Sequence, residues 1–286
     1  MDIKTIGILG AGTMGSQISQ VAAQAGFNIV MRDIDEKFVA SAMKNIEQFL
    51  SKSVEKGKMA EEEKNAVIAR IKPATRIGAL KDVDFIIEAI VEDMDIKQKM
   101  FAELDELTRQ EVVLASNTSS LSLTELATAV KRQDKVVGMH FFNPAQLMRL
   151  VEVVRGLNTS DETVAITMDL VKKFRKEPIE VKIDSPGFVV NRMMIASNIE
   201  AIRLYEQGIA SKEDIDKATK LGLNYPMGPF ELMDYTGLDI NYFVMNGFHQ
   251  NLQKELKWDP PLSIKNLVKA GMLGKKTGKG WYDHSK

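Results

Sequence analysis

The chain has 286 residues with 44% hydrophobic content, enough for one large domain or two ordinary ones, and its net charge of −1 and isoelectric point near 6.4 disfavour a nucleic-acid partner. It contains no cysteine and only three histidines, far apart in the sequence, which excludes disulfides, thiolate zinc sites and cysteine nucleophiles and leaves no metal-binding motif. No apolar run approaches the roughly 18 residues that span a bilayer, and the first predicted strand follows the start of the chain directly, so we expect a cytoplasmic protein without a signal peptide or a membrane partner.

A glycine-rich turn between a strand and a helix is the first informative motif. The apolar run 5–9 predicts a buried strand, and the helix that follows the turn ends near Gly26. In such a turn the first glycine permits a tight bend, the second lets a pyrophosphate approach the backbone, and the third lets helix and strand pack closely. We therefore predict a dinucleotide site formed by Gly10, Ala11, Gly12, Thr13, Met14 and Gly15.

An acidic residue after the second predicted strand, 28–32, indicates which dinucleotide binds. Asp33 lies about 20 residues beyond the glycine turn, the spacing at which a carboxylate accepts both ribose hydroxyls and repels a 2′-phosphate. Asp33 therefore predicts NAD, and the neighbouring Arg32 keeps NADP as an alternative.

The connection after Asp33 is unusually long. It is predicted to hold a helix from Asp35 to about Glu55 and a second from about Met59 to Ile71, ended by Pro73. This helical pair is either an arm that covers a substrate or a solvated insertion.

Strands and helices then alternate, which predicts an α/β fold with a Rossmann-type, doubly wound, mostly parallel sheet. Strands are predicted at 84–90, 112–115, 135–139, 150–154 and 178–182, and helices at 95–107, after Ser122 and at 161–173. Ligands bind outside the carboxyl ends of such strands. Glu92, the segment 116–120 and His140 join the glycine turn at that edge.

A turn at Asp184-Ser185-Pro186-Gly187 predicts a domain boundary. We expect a dinucleotide-binding domain at residues 1–184 and a smaller all-α domain, for substrate binding and dimerisation, at 185–286. Its helices are predicted at 188–207, after Ser211, at 230–235 and at 241–254, before a basic, glycine-rich tail. A symmetric dimer is predicted from its apolar residues, which include Met193, Met194, Phe230, Met233, Phe243, Met245 and Phe248.

His140 and Glu152 are the candidate catalytic pair. Histidine suits the general base of alcohol oxidation because its pKa lies near neutrality, and a carboxylate on its other ring nitrogen fixes the tautomer. Glu152 interrupts an apolar strand, where an unpaired charge is unfavourable. His140, Arg149 and Arg155 are all candidate partners for this carboxylate.

Six segments, in the same order, resemble the L-3-hydroxyacyl-CoA dehydrogenase family, and the resemblance covers essentially the whole chain. They are the glycine turn with Thr13-Met14, Ser-Asn-Thr-Ser-Ser at 116–120, His-Phe-Phe-Asn-Pro at 140–144, Leu-Val-Glu-Val at 150–153, Pro-Gly-Phe-Val-Val-Asn-Arg at 186–192 and Tyr-Pro-Met-Gly-Pro-Phe-Glu-Leu at 225–232. The length is most similar to that of the bacterial 3-hydroxybutyryl-CoA dehydrogenases. One departure is Gln146-Leu147, where the family often has Pro-Val, and it bears on the loop rather than on the chemistry.

The resemblance implies a reaction and a set of substrate-binding residues. It implies that (S)-3-hydroxyacyl-CoA and 3-ketoacyl-CoA are interconverted with NAD, with 3-hydroxybutyryl-CoA preferred, in fatty acid and butyrate metabolism. His140 would be the general acid/base with Glu152 paired to it. Ser119 would hydrogen-bond the substrate 3-oxygen, and Asn191 would bind the substrate from across the cleft.

The resemblance also implies contacts with the cofactor and with the CoA phosphates. Glu92 and Lys97 would touch the nicotinamide ribose, Asn143 would lie beside the nicotinamide, and Lys276 would reach the cofactor. Lys52 and Lys56, four apart on one helix, would meet the CoA phosphates. The alternatives are a solvated helix start for Glu92 and Lys97, a turn residue for Asn143 and a solvated helix face for the two lysines.

Two other functions stay open from sequence. The first is a related two-domain dehydrogenase that acts on a free hydroxy acid or a sugar-derived substrate, which turnover of free acetoacetate would reveal. The second is a non-catalytic NAD-binding protein, which would bind NADH without turnover. The joint presence of Ser119, His140, Glu152 and Asn191 disfavours the second.

Overall fold

The computed structural model describes residues 2–252 and 255–285. The chain forms two compact units, Met1–Ser185 and Pro186–Lys286, and the division falls within the predicted turn at residues 184–187. None of the helices in the described ranges has the length and apolar character needed to cross a membrane.

The first unit is built on an eight-stranded sheet. Its strands are β1 (Thr5–Leu9), β2 (Asn28–Arg32), β3 (Ile71–Ala74), β4 (Phe85–Glu88), β5 (Val113–Ser116), β6 (Val136–Phe141), β7 (Leu150–Arg155) and β8 (Glu177–Val181). They lie in the order β3-β2-β1-β4-β5-β6-β7-β8, and every neighbouring pair is parallel except β6 and β7. The predicted mostly parallel, doubly wound sheet is confirmed.

Helices cover this sheet because their apolar residues recur at helical spacing. They are α1 (Thr13–Gln24), α2 (Glu36–Glu55), α3 (Glu61–Ala69), α4 (Met94–Leu107), α5 (Leu123–Ala127) and α6 (Asp161–Lys173). The apolar stripe of α2 buries Val39, Ala42, Ile46 and Leu50 in the same core as β1 and β2. Strand β1 carries the glycine turn to the point where the strand order reverses, since β2 and β4 lie on its two sides.

Several predicted bounds were wrong. Helix α3 ends at Ala69, and Pro73 lies within β3 instead of ending a helix. A proline is tolerated there because β3 is an edge strand, where the missing N–H breaks no ladder on its open side. Strand β4 ends at Glu88 rather than at Ile90, and β6 continues through Phe141, one residue past His140, where the strand was predicted to end.

The second unit is helical, as predicted. Its helices are α7 (Val190–Glu206), α8 (Lys212–Gly222), α9 (Pro229–Thr236), α10 (Leu238–Asn251) and α11 (Leu262–Lys269). Helix α10 begins before the predicted start at Asn241, and its predicted end at Lys254 lies outside the described residues. Helix α11 was not predicted. The basic tail is folded against α9, because Asp234 accepts hydrogen bonds from the backbone N–H groups of Trp281 and Tyr282 at 2.8 Å.

Most of the apolar residues that predicted a dimer belong to the core of this unit. Phe230, Met233, Met245 and Phe248 are buried in it, and Met194 packs against it. Met193 and Phe243, in contrast, are 69% and 72% exposed.

Candidate active site

The glycine turn has the geometry of a phosphate site. Gly10 has a φ of 105°, and a Cβ at this position would lie 2.5 Å from the carbonyl oxygen of Ala89. A Cβ at Gly15 would overlap the carbonyl oxygen of Gly10, whereas one at Gly12 would have no neighbouring atom within 4 Å. Helix α1 receives no side-chain cap and carries no acidic residue in its first turn. The backbone at Gly12 therefore offers an open, positively polarised helix end that fits a pyrophosphate.

Asp33 lies at the rim of this turn. One carboxylate oxygen, Oδ2, accepts the N–H of Ala11 at 2.6 Å, and the other, Oδ1, accepts the N–H of Ile34 at 2.7 Å. The neighbouring Arg32 donates from Nε to the carbonyl of Thr75 at 3.1 Å, which ties it to the end of the edge strand β3.

His140 and Glu152 form a buried pair across β6 and β7. Nδ1 of His140 lies 2.7 Å from Oε2 of Glu152, and the two residues are 5% and 0% exposed. Since a carboxylate accepts, we assign the ring proton to Nδ1, and the neutral ring then presents Nε2 as its acceptor. The two arginines that were alternative partners of Glu152 form other ion pairs. Arg149 pairs with Glu177 at 2.9 Å, and Arg155 pairs with Glu180 of β8 and Asp161 of α6.

The loop that follows β5, residues 117–122, is called the Ser119 loop here, and Glu92 holds it. Oε1 of Glu92 accepts from the Thr118 hydroxyl at 2.5 Å and from the Ser119 N–H at 3.0 Å. At the start of the loop, Oδ1 of Asn117 accepts the N–H of Phe141 at 2.9 Å. These bonds bring the Ser119 loop to the sheet edge at which His140 lies.

Lys97 is not part of a solvated helix start. It is 1% exposed, and its Nζ lies 2.5 Å from Oε1 of Glu88 and 3.3 Å from Oε2 of Glu92. Burial raises the pKa of Glu92, but the Lys97 ammonium and the hydrogen bonds from Thr118 and Ser119 outweigh burial and leave this pKa below its usual value.

Sequence reasoning missed Glu88, which is fully buried at the end of β4. The signal for it was a carboxylate in the apolar run 84–90, the same signal that singled out Glu152.

The loop between β6 and β7 carries Asn143 and is fastened to α1. Oδ1 of Asn143, which precedes a cis proline, accepts from Nε2 of Gln17 at 3.1 Å, and Oε1 of Gln17 accepts the N–H of Ala145 at 2.6 Å. Gln146, where the sequence departs from the family, donates to Oε1 of Gln20 at 3.2 Å, a bond that a proline cannot make.

Buried Lys176 clamps the same loop from the other side. Its Nζ donates to the carbonyl oxygens of Ala145 at 2.6 Å and Met148 at 2.8 Å. Burial lowers the pKa of the Lys176 ammonium.

The other predicted site residues lie at the end of α2 or in the second unit. Lys52 and Lys56 are exposed at the C-terminal end of α2. Asn191 lies in the first turn of α7, and Lys276 forms an ion pair with Asp239 at 2.6 Å, both within the second unit. Among residues 2–252 and 255–285, no group of histidine and acidic side chains is arranged to hold a metal ion.

Comparisons with known proteins give the same family for both units of the chain. The family described as 3-hydroxyacyl-CoA dehydrogenase, NAD binding domain, matches residues 5–184, and the C-terminal domain of the same family matches residues 187–284. The 3-hydroxybutyryl-CoA dehydrogenase of Clostridioides difficile is 43% identical over 98% of this chain and 99% of its own. The mitochondrial hydroxyacyl-coenzyme A dehydrogenase of Sus scrofa is 43% identical over 99% and 91%. The crystal structure of (S)-3-hydroxybutyryl-CoA dehydrogenase from Ralstonia eutropha superposes with a TM-score of 0.97 at 43% identity, covering 100% of both chains.

Proposed function

This chain belongs to the 3-hydroxyacyl-CoA dehydrogenase family, and on that premise we propose that it interconverts (S)-3-hydroxyacyl-CoA and 3-ketoacyl-CoA by hydride transfer with NAD(H). The observation that carries the proposal is the buried His140–Glu152 pair, 2.7 Å apart, at the sheet edge that also carries the glycine turn. The names of the bacterial relatives support 3-hydroxybutyryl-CoA as the preferred substrate, with acetoacetyl-CoA as its oxidised form.

The open backbone at the glycine turn fits NAD. Residues 10–15 would hold the pyrophosphate, and Asp33 would accept the adenosine ribose hydroxyls in place of the Ala11 N–H. The hydrogen bond from Arg32 to the Thr75 carbonyl supports NAD over NADP, since it holds the guanidinium next to the end of β3 instead of leaving it to bind a 2′-phosphate. When bound, NAD⁺ supplies the acceptor for the hydride that leaves C3 of the substrate.

The protein's own groups manage the proton and the substrate oxygen. In oxidation, Nε2 of His140 takes the proton of the 3-hydroxyl while Nδ1–H stays hydrogen-bonded to Glu152, whose charge stabilises the imidazolium. In reduction the same imidazolium returns the proton to the oxygen. Ser119 would donate a hydrogen bond to this oxygen, and Asn191 would contact the substrate from the second unit.

The remaining roles rest on position and charge. Glu92 and Asn143 would line the nicotinamide ribose and the nicotinamide. Lys97 is 1% exposed and lies between the carboxylates of Glu88 and Glu92, so it would act on the cofactor site through Glu92. Lys52 and Lys56 would attract the CoA phosphates, and Lys276 would have to leave Asp239 to reach the cofactor.

An absorbance assay at about 340 nm, where NADH absorbs but NAD⁺ does not, tests the function. We expect acetoacetyl-CoA to be reduced rapidly with NADH, slowly with NADPH, and free acetoacetate hardly at all. If free acetoacetate is reduced as fast as acetoacetyl-CoA, the result would favour the alternative function, a related dehydrogenase that acts on a free hydroxy acid. NADH binding without turnover of either substrate would contradict the proposal and favour a binding protein.

We further propose a homodimer that forms through the second unit. Ile240 and Phe243 are exposed one turn apart on α10, so they share a face, and Tyr235 and Met193 are exposed as well. Light scattering at micromolar concentration should give the mass of a dimer, and Ile240→Glu with Phe243→Glu should give a monomer. A monomeric wild-type protein would contradict this proposal.

We also propose that the protein works in the cytoplasm. The bacterial relatives support this location, although the relative from Sus scrofa is named as mitochondrial. Fractionation of the native cells with an antibody against the protein tests the location, and recovery in an organelle or membrane fraction would contradict it.

A further inference from the structure

Glu88 occupies the junction between the glycine turn and the Ser119 loop. It is the last residue of β4, and it lies in register between Leu9 of β1 and Ser116 of β5. These neighbours are the residues that immediately precede the two loops. Glu88 is fully buried, and a carboxylate in such a position is unfavourable unless charges and hydrogen bonds compensate it.

Both oxygens of Glu88 are used, and they lead to the same loop by two routes. In the first route, Oε2 accepts from the hydroxyl of Ser116 at 2.7 Å, and that hydroxyl accepts the N–H of Thr118 at 3.2 Å. This route holds the backbone at the residue before Ser119.

The second route runs through two charges. Oε1 of Glu88 lies 2.5 Å from Nζ of Lys97 and also accepts the N–H of Ile90 at 2.7 Å. Lys97 reaches Oε2 of Glu92 at 3.3 Å, and Oε1 of Glu92 accepts the N–H of Ser119 at 3.0 Å. The second route therefore holds Ser119 itself.

We propose that Glu88 is a positioning residue, which places Ser119 for the reaction through Ser116 on one route and through Lys97 and Glu92 on the other, without touching substrate or cofactor. This inference rests on the proposed function, in which Ser119 binds the substrate 3-oxygen. Without the charge of Glu88, the Lys97 ammonium has Glu92 as its nearest carboxylate and draws it away from the Ser119 loop. The hydroxyl of Ser119 then loses its place, and misplacement of a group that binds the reacting oxygen slows the reaction.

The test is Glu88→Gln, which keeps the shape and removes the charge. Its matched control is Asp105→Asn, which breaks the buried pair of Asp105 and Arg132, 3.3 Å apart, at the opposite end of α4. Both variants should lower Tm, because each leaves a buried cation poorly paired. For acetoacetyl-CoA reduction by folded protein, Glu88→Gln should lower kcat by on the order of ten- to a hundredfold with KM little changed, whereas the control should stay within about twofold.

A double-mutant cycle identifies the route of action. If Glu88 acts through Ser119, the variant with both Glu88→Gln and Ser119→Ala should lose no more activity than Ser119→Ala alone. Should Glu88→Gln fail to fold, Ser116→Ala removes only the first route and should lower kcat severalfold.

The outcomes separate the two proposals. If the wild-type protein is active and Glu88→Gln matches Asp105→Asn, or if the losses in the cycle multiply, the positioning role is overturned and the proposed function stands. If Glu88→Gln does not fold, full activity of Ser116→Ala overturns it in the same way. A wild-type protein that does not reduce acetoacetyl-CoA overturns both.

Discussion

His140 and Glu152 stand directly opposite each other on the antiparallel strands β6 and β7, with Nδ1 and Oε2 2.7 Å apart. Residues opposed in an antiparallel pair project to the same face of the sheet, so the strand register itself brings the two side chains together. Burial of both groups strengthens their interaction, because little water screens it. This arrangement supports a base that is oriented and electrostatically stabilised by one carboxylate.

Replacement of His140 tests the base. His140→Ala should lower kcat for acetoacetyl-CoA reduction by on the order of a hundredfold or more, because the variant lacks the imidazole that transfers the proton. NADH binding, measured by fluorescence titration, should stay near normal. His249→Ala, on α10 in the second unit, serves as the control. Near-normal turnover of a folded His140→Ala protein would remove this residue from the base role.

Replacement of Glu152 tests the orienting carboxylate. Glu152→Gln keeps the shape but lets the side chain donate to the ring, which no longer favours the Nδ1–H tautomer, so kcat should fall by at least about tenfold. Glu177→Gln removes a neighbouring carboxylate that pairs with exposed Arg149, and it should leave kcat unchanged. Equal activities of the two variants would show that Glu152 only supports the fold.

Replacement of Asp33 tests the choice of cofactor. Asp33→Ala should raise KM for NADH by about tenfold or more and change KM for NADPH far less, since the lost carboxylate both binds the ribose hydroxyls and repels a 2′-phosphate. Glu36→Ala removes a nearby exposed charge as a control. Equal losses with both cofactors would contradict the assignment of Asp33 to the ribose.

The two lysines of α2 test the CoA site. The double variant Lys52→Ala, Lys56→Ala should raise KM for acetoacetyl-CoA severalfold. The increase should be larger at low salt than at high salt, because salt screens the attraction between exposed lysines and phosphates. KM for NADH should not change. Lys44→Ala with Lys58→Ala removes the same charge from two other exposed positions. If both pairs behave alike, Lys52 and Lys56 belong to a solvated helix face.

The acid stability of the protein should depend on Glu92. Its pKa in the folded protein lies below the ordinary value of 4.5, so the ionised carboxylate stabilises the fold. This contribution is complete above the unfolded pKa and is lost as the pH falls through the lower folded pKa. Urea unfolding at about pH 7 and about pH 4 should therefore show a smaller loss of stability on acidification for Glu92→Gln than for wild type.

Exposed Glu62 on α3 gives the control for this measurement. Glu62→Gln should retain the wild-type loss of stability between the two pH values. A Glu92→Gln variant with the same pH dependence as wild type would show that Glu92 is not part of the acid response.

The order of strands and helices could be predicted because each element carries its own local signal. The predictions failed where a local signal competes with tertiary context. Pro73 lies in a strand because that strand is at the sheet edge, and β6 extends past His140 because β7 pairs with it. The count of apolar residues in the second unit could not say which are exposed, since Phe230 and Phe243 look alike in sequence but lie in the core and on the surface.

The sequence by itself determined the glycine turn, the acid that follows the second strand, and the presence of a histidine at the end of one strand and a carboxylate in the next strand along the chain. These features depend on backbone conformation and on short spacings, which adjacent residues dictate. Only the tertiary structure decided that Glu152 pairs with His140 rather than with Arg149 or Arg155. It also decided that Glu88 and Lys97 form a buried ion pair that is linked to Ser119 through Glu92. The choice among partners of opposite charge depends on distance and burial. Both are fixed only when β6 comes into register with β7 and when Lys97 of α4 folds back onto the end of β4.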